Sequence, residues 1–359
     1  MDERAPEVVD WALAERIAVR VSGRSTFAGS YHADSLVPDF EELTAEAEQL
    51  VTAETGLVSQ AGPARARVTD RAGWVRANVA SFQRLLRPLT DKVGARMAAG
   101  PLAPLTRRAA GAEVGLLLGW MSTRVLGQYD LLVLDDDTAA EQDLVYFVGP
   151  NVLDLEKRFS FPPREFRLWL ALHEVTHRAQ FTGIPWMHDH YLSLVERALD
   201  GIDPDPMRIV HAARRLATSA RDRRNPLADG GVAALLATPE QAVVLQQMGG
   251  LMSLLEGHGD VTMDRAGADR IPSADRFSRS LRARRRNVSP PMKLLQQLIG
   301  LEAKMNQYEQ GEQFIAAVEG VGGPALLNTA FESPMMLPTL AEIREPDAWI
   351  RRVASRSAV

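Results

Sequence analysis

Residues 172–177 read Leu-His-Glu-Val-Thr-His, with two histidines four positions apart and a glutamate directly after the first. Residues four apart on an α-helix share a face, so the imidazoles of His173 and His177 can reach one metal ion. Glu174 lies about 100° further round the helix, where its carboxylate can take a proton from a water molecule that the metal activates. The stretch therefore predicts a helix that carries two zinc ligands and a general base.

The surrounding sequence places this motif within a helix. Pro162 and Pro163 end one segment, and residues 164–181 then read as helix. Its apolar positions are Phe166, Trp169, Leu170 and Leu172. A buried structural helix is the alternative explanation, in which the two histidines and the glutamate are only hydrogen-bonded groups that each need a partner.

A catalytic zinc site needs a third protein ligand. One common continuation of the motif has glycine three residues and histidine six residues after the second histidine, but Gln180 and Gly183 occupy those positions. His188 and His190 follow Pro185, which should break the helix and turn the chain away. They are poor candidates for the third ligand.

Glu256 and Asp260 are better candidates, four residues apart in an amphipathic segment over residues 252–264. Glu256 would bind the metal, and Asp260, one turn later on the same face, would accept the remaining N–H of a ligand histidine. His258 projects from nearly the opposite side of the helix and is the alternative ligand. A solvated helix face is the other explanation of this pair.

Tyr308 lies in a later helical segment, residues 291–311. A phenol beside a catalytic zinc can donate a hydrogen bond to the oxyanion of a tetrahedral intermediate, which makes Tyr308 a candidate catalytic residue. A core tyrosine with a satisfied hydroxyl is the competing interpretation.

Composition limits the kind of ligand and partner. The chain has no cysteine, so thiolate ligands and cysteine nucleophiles are excluded and the metal is left to histidine and carboxylate. A net charge of −5 argues against a general nucleic-acid binder. The arginine-rich residues 276–286 could contact nucleic acid or acidic lipid, but a solvated helix face is the favoured interpretation.

Localisation is predicted from the lack of targeting features. The acidic N-terminal residues are followed by no apolar signal region, so we expect a cytoplasmic protein. The most apolar stretch, residues 114–125, is too short to span a membrane. Gly111, Gly115 and Gly119, four residues apart, line one helix face and predict close packing against another helix.

A coarse pass along the chain predicts a predominantly helical α+β fold. Helices are expected at residues 9–23, 39–54, 70–98 and 104–126, and two strands at 129–134 and 143–148, just before the motif helix. We divide the chain into an N-terminal helical layer, 1–126, and a metal-binding core, 127–359, with a helical insertion at about 190–250; one compact domain is the alternative. The tail before Trp349, with three prolines, reads as an extended strap docked by Trp349.

Five segments in order along the chain resemble the zincin-like metallopeptidase family that is common in actinobacteria and some other bacteria. They are residues 125–131, 172–177, 184–186, 252–258 and 304–308. Members include proteins described as hydrolases or as associated with deazaflavin-coenzyme biosynthesis. The resemblance implies a zincin-like core with a small β-sheet before the HExxH helix, His173 and His177 as zinc ligands, Glu174 as base and Glu256 as third ligand.

These observations predict a zinc-dependent hydrolase that cleaves a peptide-type amide with zinc-activated water, with a gluzincin-like ligand set. One alternative is a non-catalytic protein that uses the zincin fold as a scaffold or binding surface. Another is hydrolysis of a small non-peptide amide in cofactor metabolism. The sequence indicates no oligomeric state.

Overall fold

The computed structural model describes residues 8–23, 27, 29–86, 103–129, 131, 143–200, 238–286 and 301–357. The chain forms two compact units, Met1–Gly183 with Met263–Ser278, and Ile184–Thr262 with Arg279–Val359. The two units are defined by their internal contacts, and their boundaries differ from the predicted domain boundary at residue 126. That domain division stays a prediction.

Helices make up most of the first unit. They are α1 Trp11–Ser22, α2 Tyr31–Asp34, α3 Leu36–Thr55, α4 Arg71–Leu85, α5 Ala103–Ser122, α6 Gly149–Phe159 and α7 Pro163–Gly183. The predicted helices at 9–23, 39–54 and 104–126 correspond to α1, α3 and α5. Residues 87–98 of the predicted 70–98 helix lie outside the described residues.

A three-stranded sheet completes the first unit, in the order β1-β3-β2, with β1 Arg65–Thr69, β2 Gly127–Tyr129 and β3 Leu144–Val148. β1 runs parallel to β3, and β2 runs antiparallel to it. The helix α3 packs on the sheet, where Phe40 stacks on Phe147 of β3 with ring centroids 3.9 Å apart. The sequence reading missed β1 and began β2 two residues late, and residues 130 and 132–134 of its predicted strand lie outside the described residues.

The glycine row on α5 packs directly on α1. A Cβ atom added to Gly111, Gly115 or Gly119 would lie within 2.8 Å of the carbonyl oxygen of Asp10, Ala14 or Ala18, respectively. Only glycine permits this separation, so the predicted close helix packing is confirmed. Trp11, Trp74 and Leu118 join α1, α4 and α5 in one apolar cluster.

The motif helix α7 forms where the sequence predicts it. Pro163 occupies its first turn, a position at which the missing N–H costs nothing. The helix ends at Gly183, just before Ile184 and Pro185. The four predicted apolar positions are all buried.

The other helices among the described residues are α8 Met187–Asp200, α9 Pro239–Ala266, α10 Ala274–Arg286, α11 Leu301–Asn328, α12 Leu340–Arg344 and α13 Pro346–Ser357, with a 3₁₀ turn at Thr329–Phe331. Within the second unit α9 crosses α11 closely, because a Cβ on Gly257 would lie 2.4 Å from the backbone of Gly311. Residues 201–237 of the predicted insertion lie outside the described residues.

The tail is only partly an extended strap. Residues 332–339 are turns and irregular chain, but α12 and α13 are helical. The predicted docking by Trp349 is confirmed, because its side chain is fully buried and its indole N–H donates to the carbonyl of Met336 at 2.7 Å. The prolines misled the sequence reading, since Pro346 begins α13, where proline is favoured.

One segment among the described residues, Gln310–Phe331, reaches the length and apolar character of a membrane-crossing helix, and 28% of its apolar window is buried. Length and composition are weak evidence, and Gly323 (φ 67°, ψ −172°) interrupts the helix. The expectation of no membrane span therefore stays a prediction.

Candidate metal centre

His173 and His177 point their Nε2 atoms at each other from successive turns of α7. The two nitrogens are 3.2 Å apart, and the rings meet edge to face with centroids 4.6 Å apart. Two imidazole nitrogens bound to one tetrahedral zinc at about 2.0–2.1 Å would lie about 3.3 Å apart. The separation in this structure therefore fits a shared metal.

Gln180 fixes the orientation of the second histidine. Its side chain is fully buried, and its Oε1 lies 3.0 Å from Nδ1 of His177. When Nε2 serves as ligand, Nδ1 carries the proton and donates to this oxygen. Sequence reasoning missed this role, although the spacing of three residues on one helix was the available signal.

Glu174 is held against the edge strand of the sheet. Its carboxylate is buried, and Oε2 accepts a hydrogen bond from the backbone N–H of Tyr129 at 3.0 Å. Gly127 makes the approach possible, because a Cβ there would lie 2.7 Å from Cγ of Glu174. Sequence reasoning found neither contact.

The direction of β2 explains why its backbone reaches Glu174. Val148 donates to the carbonyl of Leu126 at 2.8 Å, so this pair is hydrogen-bonded across the ladder. Hydrogen-bonded and non-bonded pairs alternate in an antiparallel ladder, which turns the peptide groups of Gly127 and Tyr129 away from β3. The outer edge of β2 thus lies beside Glu174, the predicted base, and Tyr129 donates its backbone N–H to that carboxylate.

The other predicted site residues belong to the second unit. Glu256, His258 and Asp260 lie on α9; Glu256 and His258 are buried, and Asp260 is partly exposed. The ring of His258 packs edge to face on Phe331, with centroids 5.2 Å apart. Tyr308 lies within α11, but its side chain is outside the described residues.

His188 and His190, the poor candidates, lie on α8. The His190 ring contacts Trp186 edge to face at 5.8 Å. Burial, helped by the nearby charge of Arg197, lowers the pKa of His190 below its usual value. Neither residue gains support as a ligand.

A predominantly helical α+β fold, with a small sheet beside a helix that carries HExxH, defines a protein of the zincin-like class. The sequence profile of zincin-like metallopeptidases matches residues 9–350, so the chain belongs to the zincin-like metallopeptidase family. The fold class and the family expected from the sequence are both confirmed.

The chain is also similar to a protein from Chloroflexus aurantiacus, whose crystal structure is described as that of "a putative hydrolase with a novel fold". The two are 27% identical, the similarity covers 96% of this chain and 99% of the other, and the TM-score is 0.67. None of the curated proteins compared with the chain matches it. Family and structural likeness together support a hydrolase of the metallopeptidase type.

Proposed function

We propose that the protein is a zinc-dependent metallohydrolase that cleaves peptide-type amide bonds. In this proposal His173, His177 and Glu256 hold the zinc and Glu174 is the general base. The observation that carries it is the 3.2 Å separation of the two Nε2 atoms, with the carboxylate of Glu174 on the neighbouring face of the same helix. Two imidazoles that face each other this closely suit a shared metal ion.

The donor set favours zinc over other divalent ions. Two histidines and one carboxylate are a common ligand set of catalytic zinc sites, with one position left for substrate or water. When bound, zinc supplies Lewis acidity that polarises the amide carbonyl and lowers the pKa of water. Glu174 then takes a proton from the water and delivers it to the leaving amine.

The family match supports a peptide-type substrate, because the profile that covers residues 9–350 is that of zincin-like metallopeptidases. The edge strand β2 lies directly beside the carboxylate of Glu174, and its backbone holds the proposed base. Tyr308 is proposed as the hydrogen-bond donor to the developing oxyanion. Asp260 is proposed to accept the free N–H of a ligand histidine, and His258 remains the alternative third ligand.

Metal content measured by plasma mass spectrometry tests the ligand set on protein purified without chelator or metal-affinity resin. We expect about one zinc per chain in the wild type, strongly reduced in His177→Ala and Glu256→Ala, and weakened in Asp260→Ala. His32→Ala, an exposed histidine, is the matched control and should keep its zinc. A wild-type protein that takes up no zinc would contradict the proposal.

Glu174→Gln tests the base. The variant should bind zinc like the wild type but lose about a hundredfold or more of its turnover on a peptide library, because the amide cannot accept the proton. Glu165→Gln, on the first turn of the same helix, should leave turnover unchanged. A fully active Glu174→Gln variant would contradict the proposed mechanism.

The same variants separate the competing functions. If the protein is a scaffold, substitution of the metal ligands should abolish its function, whereas Glu174→Gln should not. If the protein hydrolyses small amides, the wild type should cleave such amides but no peptide of the library. Glu174→Gln should abolish this small-amide activity.

A further inference from the structure

Arg178, the residue directly after His177, is buried and hydrogen-bonded through all three of its side-chain nitrogens. Its side chain is 1% exposed. Nη1 donates to Glu48 at 2.7 Å, Nη2 to the carbonyl of Gly62 at 2.7 Å, and Nε and Nη2 to the carboxylate of Asp143 at 3.0 and 2.5 Å. A buried guanidinium is tolerated only with such partners, so these groups are held in one arrangement.

Asp143, which precedes β3, has an unusual backbone conformation. Its φ of 55° lies in the left-handed region, which a non-glycine residue adopts uncommonly. The bonds from Arg178 hold it there. Strained residues that their surroundings hold in place cluster at functional sites.

Tyr129 connects this buried ion pair to the predicted base. Its hydroxyl donates to Oδ1 of Asp143 at 3.2 Å, and its backbone N–H donates to Oε2 of Glu174 at 3.0 Å. Its ring also stacks on Phe181 with centroids 6.4 Å apart. One residue of the edge strand is thus fixed at both ends.

Helical spacing separates two rows of residues on α7. Glu174, Arg178 and Phe181 lie at positions i, i+4 and i+7, and all three contact Tyr129 or Asp143. The row of His173, His177 and Gln180 has the same spacing, one position back, and contains the proposed ligands. The first row therefore joins the motif helix to the edge strand.

We propose that Arg178 and Tyr129 are positioning residues for Glu174. Arg178 holds Asp143, Asp143 anchors the Tyr129 hydroxyl, and the anchored strand presents the Tyr129 N–H to the Glu174 carboxylate. This hydrogen bond orients the carboxylate. The inference rests on the proposed function only for the role of Glu174 as base, since the coupling itself can be measured without turnover.

Hydrogen exchange at the amide of residue 129, read by fragmentation mass spectrometry, tests the coupling. Tyr129→Phe keeps the ring and the backbone N–H but removes the bond to Asp143. Exchange at residue 129 should become about fivefold faster, as expected for the loss of one supporting hydrogen bond. Tyr31→Phe, the same change at an exposed tyrosine, should not alter it. An unchanged rate in Tyr129→Phe would overturn the proposal.

A double-variant cycle sharpens the test. Glu174→Ala removes the acceptor and should also accelerate exchange at residue 129. If the anchor acts through that bond, Tyr129→Phe combined with Glu174→Ala should exchange little faster than Glu174→Ala alone. If the acceleration in the double variant instead equals the product of the two single accelerations, the bond between Tyr129 and Asp143 does not act through Glu174.

Kinetics provide a readout that a merely structural role would not move. On a peptide cleaved by the wild type, Tyr129→Phe should lower kcat severalfold with KM unchanged, because substrate contacts are retained. A change in KM alone would contradict the inference. If Glu174→Gln proves fully active, the proposed function fails while the exchange coupling can stand; if the exchange is uncoupled, only the positioning role fails.

Discussion

Single side chains at this site are positioned by neighbours on the same helix and on the edge strand β2. Gln180 holds His177 through a bond between groups three residues apart, and Gly127 clears the space that the Glu174 side chain occupies. Each contact depends on one atom or its absence, so single substitutions test them. These tests need no knowledge of the natural substrate.

Gln180→Ala should weaken zinc binding by about 10–100-fold, since His177 loses the acceptor that orients its ring. Competition against a fluorescent chelator measures the affinity directly. Gln180→Glu keeps an acceptor oxygen at the same position and should retain the affinity. Equal affinities in Gln180→Ala and the wild type would show that the bond does not orient a metal ligand.

Among the residues of the candidate site, local spacing was sufficient for some and not for others. His173, Glu174 and His177 were found because four-residue spacing on a helix is readable in the sequence. Gln180 was within reach of the same reasoning. Tyr129 was not, because its bond to Glu174 spans 45 positions and exists only once β2 has docked beside α7.

Helices in this fold are held together by close packing at glycines and by capping interactions at helix termini. α1 and α5 approach because α5 presents glycine at every fourth position. The second unit instead closes with a helical tail, in which Thr339 and Glu342 cap α12 reciprocally and Arg352 of α13 binds Glu342 at 2.6 Å. Both features predict measurable changes in stability.

Gly115→Ala should destabilise the protein by about 1–3 kcal/mol, because the added Cβ overlaps a tightly packed backbone. It would lie 2.6 Å from the Ala14 carbonyl oxygen and 2.9 Å from Cβ of Ile17. The midpoint of urea unfolding measures the effect. Gly320→Ala, with nothing within 4 Å, is the control and should stabilise its helix by up to about 1 kcal/mol. Equal midpoint shifts in both variants would refute the packing argument.

Glu342 should make stability depend on pH. Burial opposes its ionisation, but hydrogen bonds from Arg352 and from the backbone N–H of Thr339 outweigh burial and hold the pKa of Glu342 below 4.5. A folded-state pKa below the unfolded value stabilises the protein above the unfolded pKa, and this contribution is lost as pH falls through the folded value.

Glu342→Gln should therefore cost about 1 kcal/mol at pH 7, and this difference from the wild type should shrink below about pH 4.5. Urea unfolding at a series of pH values provides the measurement. Glu345→Gln, at an exposed position in the same segment, is the control. A difference that stays constant down to pH 3 would exclude the charged pair as its cause.

At the scale of the whole molecule, a bound metal stabilises whichever state holds it. Zinc added to metal-free protein at about a hundred times its dissociation constant should raise the free energy of unfolding by about 2.7 kcal/mol. Thermal unfolding of the wild type and His32→Ala should shift upwards equally, and His177→Ala should not shift. A similar shift in His177→Ala would place the bound zinc elsewhere.

The sequence determined the features whose cause lies within a few residues. These are the helical pattern, the histidine pair with its glutamate, and the glycine row on α5, and all follow from the 3.6-residue period of the α-helix. The distributed similarity to zincin-like metallopeptidases was also readable without coordinates, and the family match confirms it.

Only the tertiary structure decided contacts between residues far apart in the chain. β1 pairs with β3 across about eighty residues, and its RARVT segment, although it alternates polar and apolar residues, is only five residues long and does not reveal its partner. The bond from Arg178 to Asp143 spans 35 residues and depends on that sheet. Such pairings are set by packing and by the satisfaction of buried polar groups, which act only when the distant segments meet.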